Sequence, residues 1–246
     1  MEVRAADPRL REIRSVFLSH IEIPRGARVL EVGCGSGPVC RDLARVHDIG
    51  QVVGLDPSPG FLTRARELAD GIPNLRFDEG DAGSLPYVDG EFDAVVFHTC
   101  LTHVMEPARA LAEARRVLRA GGQLAIFDGD FTATSVATGD HDPLQACIDA
   151  VISGLVNDRW LARRLPGLVT SCGFRVERLD SHGSVQSGNP DYMLTLVDRG
   201  ADILAHGGRI DGVFAAALKA EARRRVACGE FFGFLGFVSL VARKPG

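Results

Sequence analysis

The chain has 246 residues, 46% hydrophobic and 24% charged, which suits one α/β domain with a large core and room for a cap. A formal net charge of -4 excludes a broad electrostatic nucleic-acid footprint. No stretch of about 18 consecutive apolar residues marks a membrane span, and Met1-Glu2-Val3-Arg4 lacks the apolar core of a signal peptide, so a cytoplasmic location is expected.

Residues 9–21 predict a helix, with Leu10, Ile13, Phe17 and Ile21 on one face. The run Val29-Leu30-Glu31-Val32-Gly33-Cys34-Gly35-Ser36-Gly37 follows. It is an apolar strand that ends on an acid and enters three glycines spaced by single residues. Glycines there let the backbone take φ > 0 and approach a ligand closely. The helix expected behind them, residues 38–46, offers unpaired N–H groups and the positive end of its dipole to an anionic group. The turn reads as a nucleotide-type cofactor site. Pro38 stands where the dinucleotide fingerprint wants a third small residue, which disfavours a nicotinamide cofactor.

Gln51-Val52-Val53-Gly54-Leu55-Asp56 is a second short strand ending on an acid. Asp56 lies 19 residues after Gly37, near the offset of about 20 expected of a carboxylate that holds ribose hydroxyls. Ser58 is an N-cap candidate for a helix reaching Asp70-Gly71. Strands are expected at Leu75-Arg76-Phe77, which leads into Gly80-Asp81-Ala82, and at Phe92-Asp93-Ala94-Val95-Val96-Phe97. A helix over 107–118 precedes Gly121-Gly122 and a fifth strand, Gln123-Leu124-Ala125-Ile126-Phe127. Strand–helix alternation implies a doubly wound parallel sheet, whose ligands bind beyond the carboxyl ends of the strands.

The pieces VLEVGCGSG, VVGLDPS, GDAGSLPYVDGEFDAVV and VLRAGGQLAI, in this order, resemble the class I S-adenosylmethionine (SAM)-dependent methyltransferases, most closely the quinone-biosynthesis and small-molecule group. The resemblance covers about residues 27–128. It implies an α/β fold with a mostly parallel seven-stranded sheet and an antiparallel last strand. Residues 159–171 would then be the late helix, 174–180 the sixth strand and 231–242 the seventh. It implies SAM as cofactor, with Gly33, Gly35 and Gly37 lining its methionine part and sugar. Asp56, followed by Pro57, would hold the ribose hydroxyls. Asp81 and the Ala82 backbone would meet the adenine, His98 would stand beside the methionyl group, and Glu31 would orient the loop and the amino-acid end. Asp56 before Pro57 and Asp81 in its loop also suit plain turn-forming roles.

Two segments exceed what such a domain needs, residues 129–157 and 189–229. The first holds a polar loop and a helix from Pro143. The second holds helical patterns at 192–205 and Gly212–Ala227. Long insertions are usually functional, so a helical cap over a substrate is expected, with packing bulk or a homodimer contact as the other uses. Tyr192, Met193, Leu196 and Phe214 are candidate wall residues by helical spacing. The whole chain, residues 1–246, reads as one domain.

Methyl transfer needs a nucleophile held in near-attack geometry, and a base where that nucleophile must lose a proton. Base candidates are His98, His103, Asp140, His141 and Asp142, the last three in the loop after the fifth strand. The sequence leaves these alternatives open. The expected function is a SAM-dependent methyltransferase (EC 2.1.1 type) acting on a small molecule. The alternative is a SAM-binding protein of the same fold that does not transfer methyl. Six cysteines without metal-ligand spacing read as buried small residues in a reducing compartment, and no metal is expected. The pairs and triplet Arg115-Arg116, Arg163-Arg164 and Arg223-Arg224-Arg225 read as solvated helix faces.

Overall fold

The computed structural model describes residues 1–45 and 49–246. Among them one seven-stranded sheet is built from β1 (Arg28–Val32), β2 (Gln51–Asp56), β3 (Leu75–Glu79), β4 (Phe92–His98), β5 (Leu118–Gly129), β6 (Arg175–Gln186) and β7 (Gly233–Arg243). The order is β3-β2-β1-β4-β5-β7-β6. Neighbours pair in parallel from β3 through β5, and β7 lies antiparallel between β5 and β6. This is the doubly wound sheet with a reversed last strand that the motifs imply.

Strands buried on both faces need apolar residues at successive positions. Val52, Val53, Val95, Val96 and Phe97 are all fully buried. Alternate residues feed two cores. Val96 and Phe127 pack with Leu10, Ile13 and Phe17 of α2 (Pro8–Ser19), with α3 (Pro38–Ala44) and with α4 (Pro59–Leu68). Val95, Phe97 and Ile126 pack on the other face against α5 (Pro107–Val117) and α7 (Leu161–Ser171). The first core continues into α6 (Pro143–Leu155), α8 (Asp191–His206) and α9 (Gly212–Ala227). A Cβ on Gly200 would fall 2.0 Å from the Cys147 carbonyl oxygen, so only glycine lets α8 lie this close on α6.

Helix starts follow local chemistry. Asp7, Ser58, Asp142 and Asp211 each accept a backbone N–H from the first turn of the helix they cap. Five helices, α2 to α6, carry proline in the first turn. The structure departs from the sequence reading in several places. A short α1 (Glu2–Ala6) precedes α2. The helix expected over 38–46 ends at Ala44, and Val46 lies outside the described residues. β5 begins at Leu118 and runs through Gly121-Gly122, which the sequence reading placed before it. β6 continues to Gln186, paired with β7 down to Gly233. Its extension, Ser181-His182-Gly183-Ser184, carries none of the apolar alternation that marks a strand.

The order reverses direction between β1 and β4. From β1 the chain moves outward through β2 to β3, then returns to β4 on the other side. Such a switch point leaves a crevice at the carboxyl ends of the strands.

Candidate functional site

A cavity of about 780 Å³ opens at that crevice. Its floor is the loop after β1. Gly33 and Gly35 have φ of 73° and 55°. A Cβ on Gly33 would lie 2.2 Å from Cys100 Sγ, so the backbone there is bare by necessity. The amides of Gly33 and Cys34 both bond the Leu55 carbonyl at the end of β2, at 2.7 and 3.0 Å. Those bonds pin the loop to the neighbouring strand.

Asp56 ties the same two strands together. Its carboxylate accepts from the Gly35 amide at 2.8 Å and from the Ser58 amide at 2.9 Å. A carboxylate offers about four lone-pair sites, so this turn-forming role leaves acceptors facing the cavity, which Asp56 lines with Pro57. Asp81 behaves likewise. It accepts from the Gly83 amide at 2.8 Å in a tight turn, and with Ala82 it forms the cavity wall beyond β3. Glu31 is buried beneath the glycine loop, where it accepts the Cys40 thiol at 2.8 Å. Burial pushes its carboxyl up to about 7.

His98 ends β4 on the cavity wall. Its ring stacks on Phe127, with centroids 4.8 Å apart, and Nε2 is buried without a partner. Burial holds its pKa well below the usual imidazole range, with the nearby cations Arg4 and Arg14 adding to the effect, so the ring is neutral. His103 ends a 3-10 turn over Leu101–His103 and also lines the cavity. Its Nδ1 lies 2.7 Å from the Leu155 carbonyl oxygen. That carbonyl can only accept, so Nδ1 is the donor, and in the neutral tautomer this selects, Nε2 is the acceptor.

The sequence candidates therefore divide. The cavity brings together Glu31, Gly33, Gly35, Asp56, Pro57, Asp81, Ala82, His98, His103, Tyr192 and Leu196. Gly37, Asp140, His141, Met193 and Phe214 lie outside its lining. Gly37 is the left-handed residue before α3, where a Cβ would meet the Phe77 ring at 2.8 Å. Met193 turns about 100° from Tyr192 around α8 and is fully buried in the core beside Gly233. Phe214 is half exposed on α9. Asp140 and His141 occupy an exposed turn, with His141 at φ 62°. Asp142 caps α6 and receives both guanidinium nitrogens of Arg225 at 2.5 and 3.1 Å. Burial would raise its carboxyl, but Arg225 and the Thr138 and Leu144 amides outweigh that and hold it at about 2.

Several wall residues carried no sequence motif. Thr99, a β-branched residue at φ 53°, sits on the wall and accepts from Arg4 Nη2 at 2.6 Å. A β-branched side chain at positive φ is strained, and such strain gathers at functional sites. Phe131, Val151 and Leu155 come from the first insertion, and Thr195 and Arg199 from α8. Tyr192, Leu196 and Arg199 recur at helical i, i+4, i+7 spacing, the one signal that could have found Arg199.

A doubly wound sheet with a glycine loop at its switch point, and carboxylates beyond the next two strands, defines the α/β folds that hold a nucleoside-bearing cofactor. Residues 30–126 match the family described as "Methyltransferase domain". The chain is 37% identical over 123 residues to a 2-phytyl-1,4-naphtoquinone methyltransferase of Thermosynechococcus vestitus, covering 50% of this chain and 55% of that one. It is 29% identical over 233 residues to the 27-O-demethylrifamycin SV methyltransferase of Amycolatopsis mediterranei, covering 89% of this chain and 78% of that one. Among solved structures it is similar to the [4+2]-cyclase SpnF, with TM-score 0.63, 26% identity, and 96% of this chain and 82% of that one covered. The chain spans about half the length of the first curated relatives it matches.

The residues present fit SAM. Bare backbone at Gly33 and Gly35, acceptors on Asp56 and Asp81, and the buried Glu31 carboxyl match a ligand with a ribose, an adenine amino group and a cationic amino-acid end. Nothing around the glycine loop supplies the lysine that a phosphate cradle would need. Among the described residues no helix is long and apolar enough to cross a membrane, and no His, Cys, Asp and Glu cluster could hold a metal.

Proposed function

We propose that the protein binds SAM at the glycine loop and transfers its methyl group to a small-molecule acceptor. The observation that carries this reading is the one cavity that joins Gly33, Gly35, Asp56 and Asp81 to an apolar wall from α6 and α8. Bound there, SAM supplies an activated methyl on a good leaving group. The chain's own work is then to orient two ligands and exclude water. Residues 129–157 and 189–229 act as the cap: Phe131, Val151 and Leu155 from one, and Tyr192 and Leu196 from the other, face the space beside His98 and His103.

His103 is the base in this reading. The Leu155 carbonyl fixes its tautomer and leaves Nε2 to take a proton from a hydroxyl or other weakly acidic acceptor. His98, neutral and with Nε2 unpartnered, accepts or donates a hydrogen bond that positions the acceptor.

A second reading has its own support. The 26% identical neighbour named a [4+2]-cyclase shows that this architecture is not confined to proteins named methyltransferases. In that reading SAM is held but its methyl is not consumed. Calorimetry with SAM, S-adenosylhomocysteine (SAH) and NAD tests the cofactor: micromolar binding of the first two and none of NAD is expected. Turnover with methyl-labelled SAM against a small-molecule panel tests the reaction. Binding of NAD without SAM would refute both readings. Acceleration of another reaction, with SAM required but not consumed, selects the second.

A further inference from the structure

The charges on the cavity wall are partly sorted. Its carboxylates, Glu31, Asp56, Asp81 and Glu106, lie on or beyond β1, β2, β3 and the 3-10 turn, and the one guanidinium among them, Arg109, is engaged by the Gly83 carbonyl at 2.8 Å and by Glu106 at 3.5 Å. The opposite wall holds Arg4 of α1 and Arg199 of α8. Neither guanidinium pairs with a carboxylate among the described residues. Arg4 bonds the Thr99 hydroxyl, a neutral partner. The two carboxylates nearest Arg199 in sequence on α8 are committed elsewhere: Asp198 to Arg223 at 2.7 and 2.8 Å, and Asp202 to Lys219 at 2.5 Å. Both arginines line the same cavity.

Arg199 is exposed and Arg4 half-buried, so water solvates both, and an oxyanion entering between them would gain charge-assisted hydrogen bonds from each. Elsewhere in this chain arginines are routinely paired, as Arg225 is with Asp142 and Arg243 with Glu177. Arg4 also stands at the junction with a smaller cavity of about 50 Å³, lined by Ile148, Ile152, Leu235 and Phe237. That pocket lies away from the glycine loop, so Arg4 guards the acceptor side.

We propose that Arg4 and Arg199 are an oxyanion-holding pair for the acceptor, which is a small molecule with a carboxylate or phosphate on an apolar body. This inference rests on the methyltransferase reading and names the substrate class for it. The apolar body enters the sleeve beneath Phe131 and Leu196, and the oxyanion stays between the two guanidiniums. The acidic wall remains for the cationic cofactor, and the two ligands are sorted by charge before either is recognised by shape.

The cofactor's own carboxylate is the competing source of an oxyanion, and the test separates the two. SAH-saturated protein is titrated by calorimetry with 2-naphthoate and, in parallel, with its neutral isostere 2-naphthamide. The acid is expected to bind about tenfold or more tightly than the amide. Arg4→Gln and Arg199→Gln should each remove most of that preference, and Arg199→Lys should restore part of it. SAH affinity and thermal midpoint should stay near wild type in all three variants, which also reports that they fold. Equal binding of acid and amide, or no binding of the acid at millimolar concentration, overturns the proposal. So does a loss of SAH affinity with naphthoate binding intact, which would assign the pair to the cofactor carboxylate. If wild-type protein binds no SAH, the methyltransferase reading fails instead, and the same titration of the unliganded protein still decides the oxyanion pair.

Discussion

The two halves of the cavity are built in different ways. The half proposed for the cofactor is made of strand ends and short loops, and its key contacts tie loop amides to the neighbouring strand, Gly33 to the Leu55 carbonyl and Gly35 to the Asp56 carboxylate. The half proposed for the acceptor is made of helix faces from α6 and α8, held by side-chain packing and by ion pairs such as Asp142–Arg225. A backbone-built site is set by the fold and tolerates little variation. A site built from helix faces can be resurfaced residue by residue while the packed face stays constant.

That contrast can be broken experimentally. The largest expected effect is on turnover. His103→Gln should lower kcat by about 10²–10⁴-fold with SAH affinity unchanged, and His141→Ala should leave kcat within about twofold, since the His141 ring stands outside the cavity. A silent His103 variant would return the role of base to His98.

Next comes the pin of the cap. Asp142→Ala removes a helix cap and one of the two carboxylate partners of Arg225, leaving Glu221, at a cost of roughly 1–3 kcal/mol in chemical denaturation. Its folded carboxyl lies near 2, below the ordinary 3.8, so the wild-type advantage is present above about pH 4 and fades as pH falls toward 2. An unchanged denaturation midpoint would show that the cap does not depend on this pair.

In the cofactor half, Asp56→Ala should weaken SAH binding by about 1.5–3 kcal/mol, the range for charged hydrogen bonds. Unchanged affinity would remove Asp56 from the site. Glu31 gives a pH signature of the opposite sign to Asp142. Its folded value of about 7 exceeds the ordinary 4.5, so the native state holds a proton that the unfolded chain has lost. The resulting penalty is absent below about pH 4 and grows to roughly 3 kcal/mol above pH 7. Glu31→Gln should therefore gain stability over wild type as pH rises through that window, while losing SAM affinity at pH 8. A pH-independent difference would show that the carboxyl titrates normally.

The smallest effect belongs to Phe214→Ser. This side chain is half exposed and outside the cavity, so stability and turnover should move by no more than about 0.5 kcal/mol. A large loss of turnover would put α9 back into the acceptor wall.

Legibility in the sequence follows the same divide. The glycine run, Asp56 and Asp81 are contiguous with the strands that position them, so motif and geometry coincide. Within the cap, neighbours part company: Tyr192 faces the cavity and Met193 the core, and His141 faces solvent while Asp142 is locked under Arg225. Hydrophobic spacing alone does not phase a helix that packs on two sides, because both faces are apolar. Arg4 and Thr99 were silent for another reason. Their meeting spans 95 residues and depends on α1 folding back across the loop, where Glu2 accepts from Ser36 at 2.6 Å. The β6 extension was missed because its residues pair through backbone rather than through a buried apolar face.

The sheet's outer margins have a consequence for how copies of the chain behave in concentrated solution. Among the described residues β3 and β6 each leave one side without a strand neighbour, and such a side can template pairing with another molecule. On β6, Leu179 and Val185 are exposed, but Arg175, Glu177, Arg178 and Asp180 interrupt them with alternating charge. On β3, Arg76 and Asp78 do the same. These charges repay little in stability. Their value is that an incoming strand would have to strip water from them before it could hydrogen-bond. Replacing Arg178 and Asp180 with valine would leave the monomer's fold energy nearly untouched and turn β6 into a continuous sticky rim, at which fibrous or amorphous association would begin.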